Sequence, residues 1–301
     1  MIITVRVPAT TANLGPGFDC LALALDLWNE TVIEVGGNAV DLTIRGEGAQ
    51  HLPTTQSNLI IRAMKKFLAS TNHPFPSGLS ITCNNQIPTS SGLGSSSTAV
   101  LAGILAGNAL IQRPLAQDVL LRMAARLEGH PDNVAGALLG GLVLVGQDDQ
   151  RVRARNIPLP QLNWKVVVIL PDFRLSTQDA RAVLPQKIGL DQAVYNLSRA
   201  SFVQEAFRAG DLDLLRWAMH DRLHQPQRLR LIPGAMSALF AAEKLGAAAA
   251  LSGAGPSLVA FCDHAQDEII AAMTDAFQNA GLGSRHFILD ISRLGASVAV
   301  R

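Results

Sequence analysis

The stretch that most restricts how this chain can fold is Pro88-Thr89-Ser90-Ser91-Gly92-Leu93-Gly94-Ser95-Ser96-Ser97-Thr98. A strand-like run ends just before it, and an apolar helical run, Ala99 to Ile111, begins straight after. Gly92 and Gly94 lack a Cβ, so the backbone there can turn tightly and approach a bound group closely. The hydroxyl residues fall where the first helical N–H groups still lack partners. Taken alone, the loop supports two readings. One is a serine-rich helix cap, because serine is a favoured cap residue. The other is a phosphate cradle, which free N–H donors and the positive end of a helix dipole both favour. A Walker-type loop is excluded, since it ends in Gly-Lys-Ser/Thr and this stretch holds no lysine. A nicotinamide-binding oxidoreductase fails on spacing: its fingerprint needs three glycines as G-x-G-x-x-G, where this loop reads Gly-Leu-Gly-Ser-Ser-Ser.

A chain of 301 residues exceeds a typical single domain and suggests two. With 48% hydrophobic and 16% charged residues the composition is globular and aliphatic. A formal net charge of +1 gives no support to a nucleic-acid surface or an acidic tail. No segment has the apolar length needed to span a bilayer, and the first residues lack the basic and apolar regions of a secretory signal. Cys20, Cys83 and Cys262 are odd in number, far apart and without metal-ligand spacing. They read as reduced thiols of a cytoplasmic protein.

Along the chain, Ile3, Val5 and Val7 alternate with polar residues as a half-buried strand that ends at Pro8. A small, polar, glycine-rich loop follows, Ala9 to Asp19, with a single carboxylate. Thr31–Val35 and Asp41–Arg45 flank Gly36-Gly37-Asn38-Ala39 as a hairpin. Ser57 is placed to cap a helix whose apolar face holds Leu59, Ile60, Ala63, Met64, Phe67 and Leu68. A strand through Leu79, Ile81 and Cys83 leads into the opening loop, and a helix near Ala116–Leu127 is broken at Gly129 and Pro131. Asp148 to Pro160 is the expected boundary, giving domains over 1–156 and 157–301. Beyond it come an aliphatic central strand (Lys165–Leu170), three helical segments, Ser252-Gly253-Ala254-Gly255-Pro256-Ser257 between two strands, an amphipathic helix and two closing strands. The pattern is α+β. Trp28, Trp164 and Trp217 show no base-stacking pattern and read as core or interface residues.

Three loops now stand in order: Pro-Ala-Thr-Thr-Ala-Asn-Leu-Gly-Pro-Gly-Phe-Asp (residues 8–19), the Gly-Leu-Gly-Ser-Ser loop, and Ser-Gly-Ala-Gly-Pro-Ser. They resemble the three signature motifs of the GHMP kinases. Glu128-Gly129-His130-Pro131-Asp132-Asn133-Val134-Ala135, the segment Ser176 to Arg181, and His224-Gln225-Pro226-Gln227-Arg228 are similar to the branch that acts on homoserine. The likeness runs from Val7 to about Val300. It implies a two-domain architecture, with a ribosomal-protein-like N-terminal domain, a ferredoxin-like C-terminal domain, and the substrates in the cleft between them. It also implies transfer of the γ-phosphoryl group of ATP to the hydroxyl of L-homoserine, a step toward threonine, and a homodimer. The rivals are a kinase for another small alcohol and a catalytically silent ligand sensor.

The resemblance assigns roles residue by residue. Pro88 to Thr98 would wrap the triphosphate, and Asn58 would contact the nucleotide. Ser96 and Glu128 would hold Mg²⁺, a cation that accepts a few oxygen ligands beside phosphates. Asp19 would take the ammonium of homoserine, with amide hydrogen bonds from Asn13. Arg181 and Arg228 would take its carboxylate, because a guanidinium fork grips a carboxylate through two parallel bonds, and Thr177 would orient the pocket. Asp132, Asn133 and Arg181 form the implied catalytic group. Two routes stand open for the acceptor's proton. Asp132 can act as base, or Asn133 meets the hydroxyl and the γ-phosphate takes the proton, the route expected here. His130 is expected to fix the turn. Gly253 and Gly255 would let the third loop approach the second.

Overall fold

Alternating apolar residues turn one face of β1 (Ile2–Asn13) into the core, with Ile3, Val5 and Val7 buried. The computed structural model describes residues 1–148 and 151–301. After β1 come β2 (Gly17–Val35), β3 (Val40–Gly46), α1 (Leu59–Ser70), β4 (Leu79–Asn85), α2 (Ser95–Leu110), α3 (Gln117–Glu128), α4 (Asp132–Leu139), β5 (Leu142–Gln147) and β6 (Val152–Ile157). Then follow β7 (Lys165–Pro171), α5 (Thr177–Ala182), α6 (Leu190–Ala209), α7 (Leu212–Ala218), α8 (Gln225–Leu229), α9 (Ala235–Lys244), β8 (Ala248–Leu251), β9 (Leu258–Cys262), α10 (Gln266–Asn279), β10 (Ser284–Leu289) and β11 (Ser297–Val300).

The strands form two sheets. The first runs β11-β1-β2-β4-β3, with β5 beside β2 and β6 beside β5; the second is β10-β7-β9-β8. The long β2 organises the first sheet. One edge pairs with β1 along most of its length, with two register shifts, while on the other Glu30–Val35 pairs with β4 and Leu21–Leu23 with β5. Helix α2 is apolar on nearly every side and buried from Val100 to Gly107. It lies so close to α1 that a Cβ on Gly103 would meet the Ile60 carbonyl at 2.3 Å. The second sheet packs one face against α6 and α7 and the other against α9 and α10. Among the described residues no helix is long and apolar enough to cross a membrane.

Several local expectations change. The first strand does not stop at Pro8. It continues to Asn13 through a register shift at Pro8/Ala9, where the missing proline N–H disturbs the ladder least. Residues 36–39 do not close a hairpin, because β4 lies between β2 and β3, and β3 pairs with β4 in parallel. Asn58, not Ser57, caps α1: its Oδ1 accepts from Ile60 N at 3.0 Å. The segment expected as boundary contains β6, paired with β5; its residues 149 and 150 lie outside the described residues. The two closing strands part company, β10 joining the second sheet and β11 returning to β1.

Candidate active site

The cap reading of the opening loop fails. The N-cap of α2 is Gly94, left-handed at φ +74°, and no side chain caps the first turn. The Ser96 and Ser97 hydroxyls turn instead to Oε1 of Glu128, the Ser97 contact at 3.0 Å, and Thr98 bonds to the Ser95 carbonyl. The first N–H groups of a 16-residue helix are therefore left for another acceptor.

This helix end opens onto a cleft of about 460 Å³, a size suited to a small-molecule ligand. Thr89 to Gly92 and Gly94 to Thr98 line it, as do Asn13, Asp19, Asn58, Glu128, His130, Asp132, Asn133, Thr177, Arg181 and Arg228. Two of the residues assigned to the triphosphate stand apart. Leu93 is buried in the core, and Pro88 serves through its carbonyl, which accepts from Ser91 Oγ at 2.8 Å.

The third loop clamps the other two. Ser252 Oγ donates to the Gly92 carbonyl (2.8 Å) and is left to accept from the Thr11 hydroxyl (2.9 Å), and Ser257 N donates to the Ser91 carbonyl. The approach needs glycine: at Gly92 (φ +84°) a Cβ would meet the Ser252 carbonyl oxygen at 2.3 Å. Asn13, also left-handed, accepts from Asp19 N at 3.0 Å and donates to the Gly253 carbonyl at 2.8 Å. Its amide is thus a tie between motifs at both ends.

At the C-terminus of α3, Gly129 takes the left-handed cap and α4 starts three residues on. The turn brings Glu128 beside the α2 terminus and puts Asp132 at the head of α4. Asp132 Oδ1 accepts from His130 Nδ1 (3.0 Å), Asn133 N (2.7 Å) and Asn133 Nδ2 (3.2 Å). Asn133 Oδ1 accepts in turn from Thr10 Oγ1 at 2.8 Å. Burial opposes a charge on His130, but the hydrogen bond and charge of Asp132, with Glu128 behind, outweigh it and raise its pKa above 6.5. His130 thus supports the turn through its bond to Asp132.

Opposite lies a cluster of charges. Arg181 grips Asp19 through two bonds, Nη2–Oδ1 at 2.8 Å and Nη1–Oδ2 at 3.1 Å. Arg228 is only 2% exposed. It donates to the Ala180 carbonyl (3.0 Å), the Gly253 carbonyl (3.1 Å) and His224 Nδ1 (3.3 Å). Among the described residues no carboxylate pairs with it and its Nη2 has no partner. Burial, and then the charge of Arg181, pull its pKa down to about 10. An arginine this buried and lacking a counter-anion is costly, and its cleft face suits an incoming one.

The chain matches two family models, "GHMP kinases N terminal domain" over residues 58–141 and "GHMP kinases C terminal" over residues 203–279. It belongs to the GHMP kinase family. Relatives within this GHMP kinase family include a homoserine kinase of Moorella thermoacetica, 45% identical over 92% of this chain and 93% of that protein. One of Prochlorococcus marinus is 40% identical over 98% and 95%. The crystal structure of homoserine kinase from Cytophaga hutchinsonii aligns with a TM-score of 0.87 at 30% identity, over 99% of this chain and 97% of that one. Mevalonate kinase of L. major shares the fold at a TM-score of 0.70 and 19% identity, over 95% and 94%.

Thr10, Phe18, His224 and Ser252 were not singled out from the sequence. All four lie inside the quoted motifs, yet nothing in their spacing separates them from neighbours that merely fill the turn.

Proposed function

We infer that the chain is an ATP-dependent kinase that phosphorylates the side-chain hydroxyl of L-homoserine, giving O-phospho-L-homoserine. The acceptor assignment rests above all on one observation: buried Arg228, without a carboxylate partner among the described residues, beside the Asp19–Arg181 pair. A zwitterionic amino acid complements that arrangement, its ammonium toward Asp19 and its carboxylate toward the two guanidinium groups. A sugar or a hydroxy acid without an ammonium matches only part of it.

In this reading the α2 terminus and the residue 89–98 loop take the triphosphate of ATP through backbone N–H groups and serine hydroxyls. Phosphoryl transfer depends on such positioning and charge neutralisation more than on covalent help. The donor set beside it, two hydroxyls converging on one carboxylate oxygen, is all oxygen and fits a hard cation that keeps waters and phosphates as its other ligands. Among the described residues no cluster of three or more His, Cys, Asp or Glu competes as a metal site. Ser96 and Glu128 would hold Mg²⁺, which when bound neutralises charge on the phosphates. Asn58 lines the nucleotide half, its amide shared between capping α1 and the Pro53 carbonyl.

The acceptor hydroxyl oxygen then forms its bond to the γ-phosphorus as the bond to ADP breaks, and the proton passes to the transferred phosphoryl group. Asn133, held by Thr10 and Asp132, and Thr177 at the head of α5 orient the acceptor. Asp132 secures His130 and Asn133 rather than moving as a base. A cytoplasmic homodimer completes the reading. It is supported by three free cysteines and by Leu190, Val194 and Leu197, exposed along one side of α6. The test is ADP release with Mg-ATP over homoserine, mevalonate, galactose and shikimate: homoserine should turn over best, and preference for another acceptor refutes the assignment.

A further inference from the structure

His224 is fully buried at the head of α8, and its two ring nitrogens face different chemistry. Nε2 lies 2.7 Å from the Gly15 carbonyl, which can only accept, so that nitrogen carries the hydrogen. Nδ1 lies 3.3 Å from Arg228 Nη1, which can only donate, so that nitrogen is bare. These contacts admit one form of the ring, the neutral Nε2–H tautomer. Burial and the Arg228 charge also hold its pKa below 6.5, against the pull of Asp221 and Asp19. Asp221 Oδ2 sits 3.7 Å from Nε2, but that carboxylate is already taken by the N–H groups of Leu223, His224 and Gln225 and the Asn196 amide. Phe18 completes the frame. Its ring centre lies 5.1 Å from that of His224, and the Arg228 and Arg181 guanidinium carbons stand 5.2 Å and 5.5 Å from it, within cation–π range.

We propose that His224 is a positioning residue for acceptor binding: its bare Nδ1 holds the Arg228 guanidinium against Phe18, so that the remaining edge faces the carboxylate of the acceptor. Unlike Asp19 or Arg181, His224 touches no substrate; it acts through Arg228. The proposal rests on the homoserine reading given above. The competing possibility is that His224 is only a plug tying α8 to the Gly15 turn.

Two variants separate these roles. His224→Asn keeps an acceptor at the δ position near Arg228 and loses the bond to Gly15. His224→Gln keeps a donor for the Gly15 carbonyl and loses the δ acceptor. A hydrogen bond to a charged group corresponds to roughly ten- to a hundredfold in binding. The expected result is that Gln raises the homoserine KM about tenfold or more with kcat and the ATP KM nearly unchanged, while Asn stays within about threefold of the parent. The reverse order, or equal loss toward ATP and homoserine in both variants, overturns the proposal. Imidazole ¹⁵N NMR tests the tautomer without any turnover. Near neutral pH the resonance missing from the His224→Asn spectrum should show one protonated and one bare nitrogen, whereas a doubly protonated ring refutes the proposal. If the parent enzyme ignores homoserine, the functional reading falls, and the NMR result still decides the state of His224.

Discussion

Arg228→Met removes the buried charge while keeping most of the side-chain volume. Truncating one partner of a close, desolvated charge pair costs about 2–5 kcal/mol. Two features place the loss at the low end. The cleft face of Arg228 meets solvent, and Arg181, 37% exposed and already paired with Asp19, remains to hold the carboxylate. About 2–3 kcal/mol corresponds to roughly 30- to 150-fold at 1.4 kcal/mol per tenfold. Because the carboxylate is remote from the reacting hydroxyl, its contact is equal in ground and transition states, and the loss falls on KM. The assay is steady-state ADP release with homoserine and with 3-aminopropan-1-ol, which keeps the ammonium and hydroxyl but lacks the carboxylate. The parent enzyme should discriminate strongly between the two, and Arg228→Met should lose most of that discrimination with its ATP KM intact. An unchanged homoserine KM, or an equal loss on both acceptors, refutes the reasoning.

Glu128→Gln keeps a group able to receive the Ser96 and Ser97 hydroxyls but removes the charge. It should lower kcat about a hundredfold or more and raise the Mg²⁺ concentration needed for half-maximal rate, with the homoserine KM within a few-fold. Gly92→Ala drives a Cβ against the Ser252 carbonyl in a left-handed position that alone costs about 1–2 kcal/mol. Thermal melts should show a clear loss there and almost none for Gly146→Ala, whose Cβ meets nothing within 4 Å. His130 has a raised pKa in the folded state, so the stability it lends is complete below about pH 6.5 and is lost as pH rises through the raised value. A pH series of denaturant melts should therefore show that loss in the parent and not in His130→Asn; identical profiles contradict it.

The succession of strands and helices was legible because each carries its own period. Loops at their junctions were legible because glycine and proline mark them. Pairing across the sequence was not. Nothing local in Gly36–Ala39 distinguishes a hairpin from a strand end that waits for β4 to insert some 40 residues later. Likewise nothing in Ser297–Val300 tells that β11 returns to β1. Pro8 reads as a strand end because proline cannot donate to the ladder, and only the register shift beside it carries this strand through. At the site, residue types were enough to list charged and hydroxyl candidates, but not to tell which of them bond to each other. The Asp19–Arg181 pair joins residues 162 apart, and the burial of Arg228 comes from α5, α8 and the third loop closing around it. His224 looked like one more polar residue of a motif until its two nitrogens could be matched to a carbonyl and a guanidinium.

The most direct measurement offers the enzyme homoserine, mevalonate, galactose and shikimate together at equal concentration with limiting Mg-ATP, and identifies the phosphorylated product by mass and ³¹P NMR. The cleft described here predicts that O-phospho-L-homoserine takes nearly all of the transferred phosphate. A phosphate found chiefly on any other acceptor, or ATP bound with none transferred, would contradict it.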